Sequence, residues 1–481
     1  MDKLQARDPD IEAIYPASSL QQGFIYHAIS QPDDDAYRVQ LILDYHASVN
    51  VEAYQKAWQM SVARYPILRT YFNWEDSLIQ VVSKQGKLEF NFHTDNQLTV
   101  EAIQQQERTR AFDLQQPTLL RLHLIKHHEN HYTLIKSAHH SITDGWSGPL
   151  LLETVHQYYH LLVQGQSPKV IPDSAYHRAQ DYIFAHKDIA DTYWHEQLMP
   201  VESSNDLNPL LSRPTRLDEA RVVVRPEEVS LDIEGVPYQT LKALTVKEGL
   251  TINAITQFAW HKLIQSYTQD TTTIVGTTIS GRAIPVEGIE QSVGLYINTL
   301  PLIVDWNTAS SIGAQLKHLS EHIAGLNEHS FVDLVQLQKE GRRLFHSLSV
   351  FENYPLPEKD NAHQLDMQFR YGVEKTDYPL TFIVYEHDNT LSVRLSYDGE
   401  LLEQAKAQTL LEQVALLLAQ LPTALDKSHD ALQILSPLDY QQLIYDWNNT
   451  DKDYPEDKTL HQLFTEQAKK TPEHIALVYE D

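Results

Sequence analysis

The sequence predicts a mixed α/β protein made of two related units, each combining mixed sheets with flanking helices. Three observations support this. Strand-like and helix-like patterns alternate through the first third of the chain and alternate again beyond residue 176. A polar, proline-bearing stretch, QGQSPKVIPDSA at 164–175, separates the two regions. The length, 481 residues, exceeds what one hydrophobic core usually supports. The expected divisions are 1–175, 176–436 and a compositionally different tail at 437–481.

Each element has its own warrant. Residues 51–64 set Tyr54, Ala57, Trp58 and Val62 at helical spacing, and 78–82 reads as a strand. Within 121–138 the runs LHLI and HYTLIKSA are two strands joined by a polar turn at 127–130. A helix is expected over 149–164: Pro149 suits a first turn, Leu151, Val155, Tyr158 and Leu162 form one stripe, and Gly165 ends it. Beyond the crossing, helices at 176–198, 251–267 and 402–421 frame strands at 272–278, 380–385 and 390–397 and the apolar run GLYINTLPLIV. The tail turns from polar to amphipathic and ends on a strand-like pattern.

The formal charge is −27, with acids spread along the chain, which disfavours nucleic acid and anionic membranes as partners. Cysteine is absent, removing disulfides, thiolate nucleophiles and cysteine-ligated metals and suiting a reducing cytoplasm. The opening MDKLQARDPDIEAIYPASS lacks the apolar core of a signal peptide, and no run of ~18 apolar residues is present. His123, His127, His128 and His131 span a turn without an acidic residue at fixed ligand spacing, so no metal is expected.

The sharpest local signal is His139-His140-Ser141-Ile142-Thr143-Asp144-Gly145, where a strand ends and a helix is about to begin. A histidine there handles a proton or an amine near neutral pH. Asp144 is placed to be buried by the turn and to hold the loop. Gly145 allows close backbone approach or a positive φ. The helix start beyond offers free N–H groups to a developing oxyanion. A histidine pair alone says little, since a second occurs at His127-His128. Ser147, in GWSG, lacks a full nucleophile elbow and reads as a helix cap.

HHSITDG resembles the HHxxxDG signature of condensation domains in nonribosomal peptide synthetases. Further stretches resemble that family's motifs in order: YPASSLQQG at 15–23, RYPILRTYF at 64–72, VGLYINTLP at 293–301 and Val350-Phe351-Glu352-Asn353-Tyr354. LHQLFTEQAKKTPEHIALVYED is similar to the linker and start of an adenylation domain. The resemblance implies two chloramphenicol-acetyltransferase-like lobes in a V-shaped pseudo-dimer, with the site between them. It further implies amide formation between a donor acyl thioester and an acceptor aminoacyl thioester, each on a 4′-phosphopantetheine arm of a carrier domain. By the same resemblance the domain itself is expected to bind no cofactor or metal. Expected partners are the upstream and downstream peptidyl carriers and the adjacent adenylation domain, with the chain a monomer.

By the same resemblance His140 is the catalytic histidine and Gly145 lies beside the reacting thioester. His139, Asp144 and Arg282 support the site, Asp144 pairing with the arginine of Ser280-Gly281-Arg282. Asn298, Trp146 and Ser18 are candidate substrate contacts; Asn298 reads equally as a bend residue, and Trp146 also as packing. The opening SSLQQGFIYH resembles the subtype that takes a D-configured donor with an L-configured acceptor. GLYINTLP argues against an epimerization domain, the two histidines against a heterocyclization domain, and the adenylation-like tail against a free acyltransferase using coenzyme A. A non-catalytic module that docks carriers is the alternative from another class.

Overall fold

The computed structural model describes residues 9–94, 99–198, 201, 203–332, 343–352, 365–453 and 455–479. It has two compact units, Met1–Ile434 and Leu435–Asp481. In the larger unit, described strands run in chain order as β1 (Ile11–Pro16), β2 (Arg38–Tyr45), β3 (Thr70–Asn73), β4 (Ile79–Ser83), β5 (Glu89–His93), β6 (Leu120–His128) and β7 (His131–His139). They continue as β8 (Pro226–Glu234), β9 (Thr272–Ile279), β10 (Asn298–Asp305), β11 (Ser347–Glu352), β12 (Met367–Val373), β13 (Leu380–His387) and β14 (Thr390–Asp398).

Three sheets result: β1-β4-β3, a five-stranded β12-β2-β7-β6-β5 and a six-stranded β10-β9-β11-β13-β14-β8. The mixed α/β class is the expected one. The large sheets do not divide along the sequence, however. β12 joins the N-terminal sheet, antiparallel to β2 from Met367↔Tyr45 to Val373↔Gln40. Arg370 fastens this crossover strand, its Nε and Nη2 donating to the two Asp44 oxygens at 2.8 and 2.7 Å. Ile284, Val286, Ile289, Val293, Tyr296 and Leu365 likewise enter the core of the N-terminal half.

Local chemistry explains the elements. Helix Val51–Arg64 starts where Asn50 accepts a hydrogen bond from Ala53 N–H at 3.1 Å, and it buries Tyr54, Ala57, Trp58, Ser61 and Val62. Helix Ile252–Thr268 is capped by Thr251 and buries Phe258, Trp260 and Leu263 in the second core. β6 and β7 form an antiparallel hairpin whose apolar residues fill the core beneath the site. Pro301 is tolerated in β10 because that strand lies at a sheet edge. In the smaller unit, Leu460–Lys470 is helical, but residues 475–479 form no strand. A strand needs a neighbour to take its N–H and C=O groups, and this segment pairs with none among the described residues.

Candidate active site

β7 ends at His139, and the chain turns through 140–146 into helix Ser147–Val163. The helix begins two residues before the expected Pro149. The two histidines, one ending the strand and one opening the turn, have different neighbours. His139 is 3% exposed, its Nδ1 lies 2.7 Å from Ser141 Oγ, and its ring meets Phe112 edge-on. Burial, then the charges of His140, Arg38 and His27, depress its pKa to about 3, so it is neutral at physiological pH.

His140 faces the seam with the C-terminal half. Its backbone N–H donates to Tyr37 O at 2.8 Å, and its ring packs on Phe24 with centroids 5.1 Å apart. Nδ1 is buried with no hydrogen-bond partner outside the residue. Nε2 lies 3.1 Å from Glu374 Oε1, at the end of the crossover strand. The histidine side chain is 11% exposed and that of Glu374 46%. Burial pulls the His140 pKa down, but the charge of Glu374 and its hydrogen bond outweigh this, and the net direction is up. Glu374 responds in the opposite sense: burial raises its pKa, His140 lowers it, and the net direction is down.

Behind the histidines lies a closed knot. The Asp144 side chain is fully buried; Oδ1 accepts from Ser147 N–H at 2.9 Å, and Oδ2 accepts from Tyr296 N–H at 3.0 Å. Arg282 Nη2 donates to both Asp144 oxygens, at 3.1 and 3.3 Å, while Nη1 donates to Ile289 O and Ser292 O at 2.7 and 2.9 Å. Ser147 is no cap. Its hydroxyl, 2.7 Å from both Asp144 Oδ1 and Gly294 O, also accepts from Gly294 N–H at 3.0 Å. Gly281 turns the chain toward Arg282 at φ +62°, where a Cβ would come within 1.9 Å of Tyr296 O.

The structure therefore brings Asp144, Arg282 and Trp146 together next to the histidines. Trp146 Nε1 donates to Glu290 O at 3.2 Å, and its ring lies 5.8 Å from the Arg282 guanidinium. Gly145 and Trp146 are the partly exposed members of the loop. Gly145 makes its turn without a positive φ, unlike Gly165, Gly235, Gly249, Gly281 and Gly288. The polar groups of Ser18 and Asn298 are bonded within the fold. Ser18 and Gln21 form a capping box on helix Ser19–Ser30, and Asn298 Nδ2 donates to Ser330 O and Val332 O. Of the later motif at 350–354, Asn353 and Tyr354 lie outside the described residues.

Sequence reasoning missed Glu374, Tyr37, Phe24 and Gln21. Gln21 Nε2 donates to Ser141 O at 3.1 Å, tying the opening motif to the histidine loop. Its place inside YPASSLQQG was the available signal. Glu374, in VEKTDYP, carried none. Among the described residues no group of His, Asp and Glu is arranged to hold a metal ion, and no helix is long and apolar enough to cross a membrane.

Residues 11–444 match the Condensation domain family. The chain is 36% identical over 488 residues to N-(5-amino-5-carboxypentanoyl)-L-cysteinyl-D-valine synthase of Amycolatopsis lactamdurans, covering 97% of the chain and 13% of that protein. It is 26% identical over 492 residues to bacitracin synthase 3 of Bacillus licheniformis, covering 98% of the chain and 8% of that protein. The chain thus spans only a small part of these relatives. Its fold is like that of a holo four-domain nonribosomal peptide synthetase bound to AMP and glycine, with a TM-score of 0.76, 16% identity, and coverage of 96% of this chain and 37% of that one. It is also like the X-domain in complex with OxyB from teicoplanin biosynthesis, with a TM-score of 0.74, 18% identity, and coverage of 88% and 97%. The match over nearly the whole chain, on a fold that presents a histidine at the seam of two sheet-centred halves, leads to one assignment: the chain belongs to the condensation domain family of nonribosomal peptide synthetases, an acyltransferase family.

Proposed function

We propose that the chain forms a peptide bond between a donor acyl or peptidyl thioester and an acceptor aminoacyl thioester, each borne on the phosphopantetheine arm of a carrier domain. The observation that carries this reading is the environment of His140. Its Nε2 faces the partly open seam, while its Nδ1 is buried. In the proposed step the acceptor nitrogen attacks the thioester carbonyl at Nε2. The N–C bond forms, the C–S bond breaks, and the proton lost by nitrogen reaches the leaving thiolate sulfur through the imidazole.

An α-amino group with a pKa of about 7.7–8.0 is partly neutral at cellular pH, so orienting it matters as much as deprotonating it. Asp144 and Arg282 act at a distance, locking the loop that holds His140, and neutral His139 packs behind it. The partial exposure of Gly145 and Trp146 supports contact of both with a thioester arm. Ser18 and Asn298 have their polar groups engaged by the fold, which favours a supporting role for both. The family fold supports access for an upstream donor carrier and a downstream acceptor carrier, with an adenylation domain following in the same cytoplasmic assembly line. The opening motif supports a D-configured donor and an L-configured acceptor.

The test supplies the chain with two carrier proteins, one loaded with a D- or L-aminoacyl donor and one with an L-aminoacyl acceptor. Mass spectrometry of the acceptor arm should show a dipeptidyl species, formed faster from the D-donor. Faster turnover of the L-donor overturns the stereochemical assignment. A bare acceptor arm with every donor tried leaves carrier docking as the function.

A further inference from the structure

We propose that Glu374 is the residue that binds the acceptor's amine: its carboxylate, carried to His140 by the crossover strand, accepts N–H from the nitrogen that attacks at Nε2. The inference rests on the peptide-bond reading and assigns a residue that reading does not require.

Glu374 Oε1 lies 3.1 Å from His140 Nε2, and its side chain is 46% exposed against 11% for the histidine. The carboxylate is therefore the more accessible half of the pair. A carboxylate that merely fixed a tautomer would leave the other ring nitrogen free to react, as in hydrolase triads. Here the other nitrogen is buried without an outside partner. Reaction and carboxylate must share Nε2.

The placement is strongly determined. Tyr37 donates its N–H to Lys375 O at 3.0 Å and accepts His140 N–H at 2.8 Å, so a single residue sets both the histidine and the segment carrying Glu374. Tyr37 is held at φ +64°, a conformation a tyrosine adopts only when its surroundings enforce it. Those surroundings are ion pairs on either side of Glu374. Lys375 binds Asp34, and also Asp35 at 3.2 Å; Asp377 takes the Tyr37 hydroxyl and Arg343. His27 Nε2 closes the network on Asp34 at 2.8 Å.

The chemistry fits an amine. A protonated amine has only N–H donors and an ionised carboxylate only acceptors. With the imidazole neutral and its proton on Nδ1, the acceptor nitrogen displaces the direct Nε2–Glu374 contact and gives one N–H to the carboxylate and one to Nε2; as its N–C bond forms the carboxylate faces the positive charge developing on it. The surrounding field favours a cation. Glu352, at the end of β11, is pushed up to about 7 by burial and then by the charges of Glu374 and Glu228, against the pull of Arg394. The other charged group felt by His140 is Asp144, already matched by Arg282, while His139 beside it is neutral.

The test is Glu374→Gln beside Glu374→Asp, with acceptor and donor carriers varied separately. The expected result for E374Q is an acceptor KM raised about tenfold, a donor KM unchanged, and the acid limb of kcat/KM moved to lower pH because His140 loses its anion. E374D recovers part of the acceptor KM. Dipeptide formation by wild type, with the same acceptor KM in E374Q, overturns this inference alone; no dipeptide from wild type overturns the parent reading. Binding gives a readout independent of turnover. By saturation-transfer NMR, wild type should prefer a non-hydrolysable aminoacyl-pantetheine amide over its desamino counterpart, and E374Q should not. Equal preference in both proteins overturns the inference.

Discussion

Replacing Asp144 with alanine should unfold the seam before it affects chemistry. The Asp144 side chain is fully buried and that of Arg282 is 4% exposed, so removing the carboxylate strands a guanidinium in a low-dielectric knot. Breaking one side of a buried pair costs about 3–5 kcal/mol. The N–H groups of Ser147 and Tyr296 lose an acceptor as well, each about 1–3 kcal/mol if nothing replaces it. Arg282 keeps the carbonyls of Ile289 and Ser292 and sits 4.3 Å from the centre of the Tyr296 ring, which offsets part of the loss. A net destabilisation of about 4 kcal/mol is expected. Urea unfolding of D144A, R282M and the double variant measures it. The double variant should be less destabilised than the sum of the singles by at least about 1 kcal/mol. A D144A loss below about 1 kcal/mol, or additive singles, refutes the knot as a source of stability.

The same contacts bear on backbone strain and on pH. Gly281→Ala should prevent folding of the seam, because its Cβ meets Tyr296 O and its φ is +62°; a soluble variant melting with wild type contradicts this. His139 and His261 are depressed to about 3 by burial, so below pH 6.5 the unfolded chain binds their protons and the folded one does not. Stability is therefore full above about pH 6.5 and falls toward pH 3, by about 1.4 kcal/mol per pH unit for each histidine; a urea midpoint flat between pH 7 and 5 rules this out. Asp34, whose burial is outweighed by hydrogen bonds from His27 and Lys375, is lowered to about 2, so its contribution persists above about pH 4 and is lost toward pH 2. In Asp34→Asn that further loss between pH 4 and 2 should shrink; an unchanged acid limb excludes Asp34 as its source.

The sequence made legible those parts of the fold where apolar periodicity was strong. Helix Val51–Arg64 has the expected bounds, and the β6–β7 hairpin and helix Ile252–Thr268 were foreseen within a few residues. β12 was not. None of its residues is fully buried, because it caps a sheet edge, so MQFRYGV leaves no apolar stripe to read. The same strand is why Glu374 escaped notice: an isolated glutamate after a weak strand acquires meaning only once β12 pairs with β2 and sets it against His140. The histidine loop was legible because its chemistry is contiguous. Ser147 was misread because a serine at a helix start usually caps, whereas here Asp144 receives its N–H and its hydroxyl joins the knot.

The most direct measurement is single-turnover dipeptidyl transfer between two loaded carriers, comparing wild type with His140→Ala after both are shown to melt alike. If the imidazole at the seam serves the reaction, the variant should transfer at least about a hundredfold more slowly while still binding both carriers. Equal transfer rates from the two proteins would contradict the role assigned to His140.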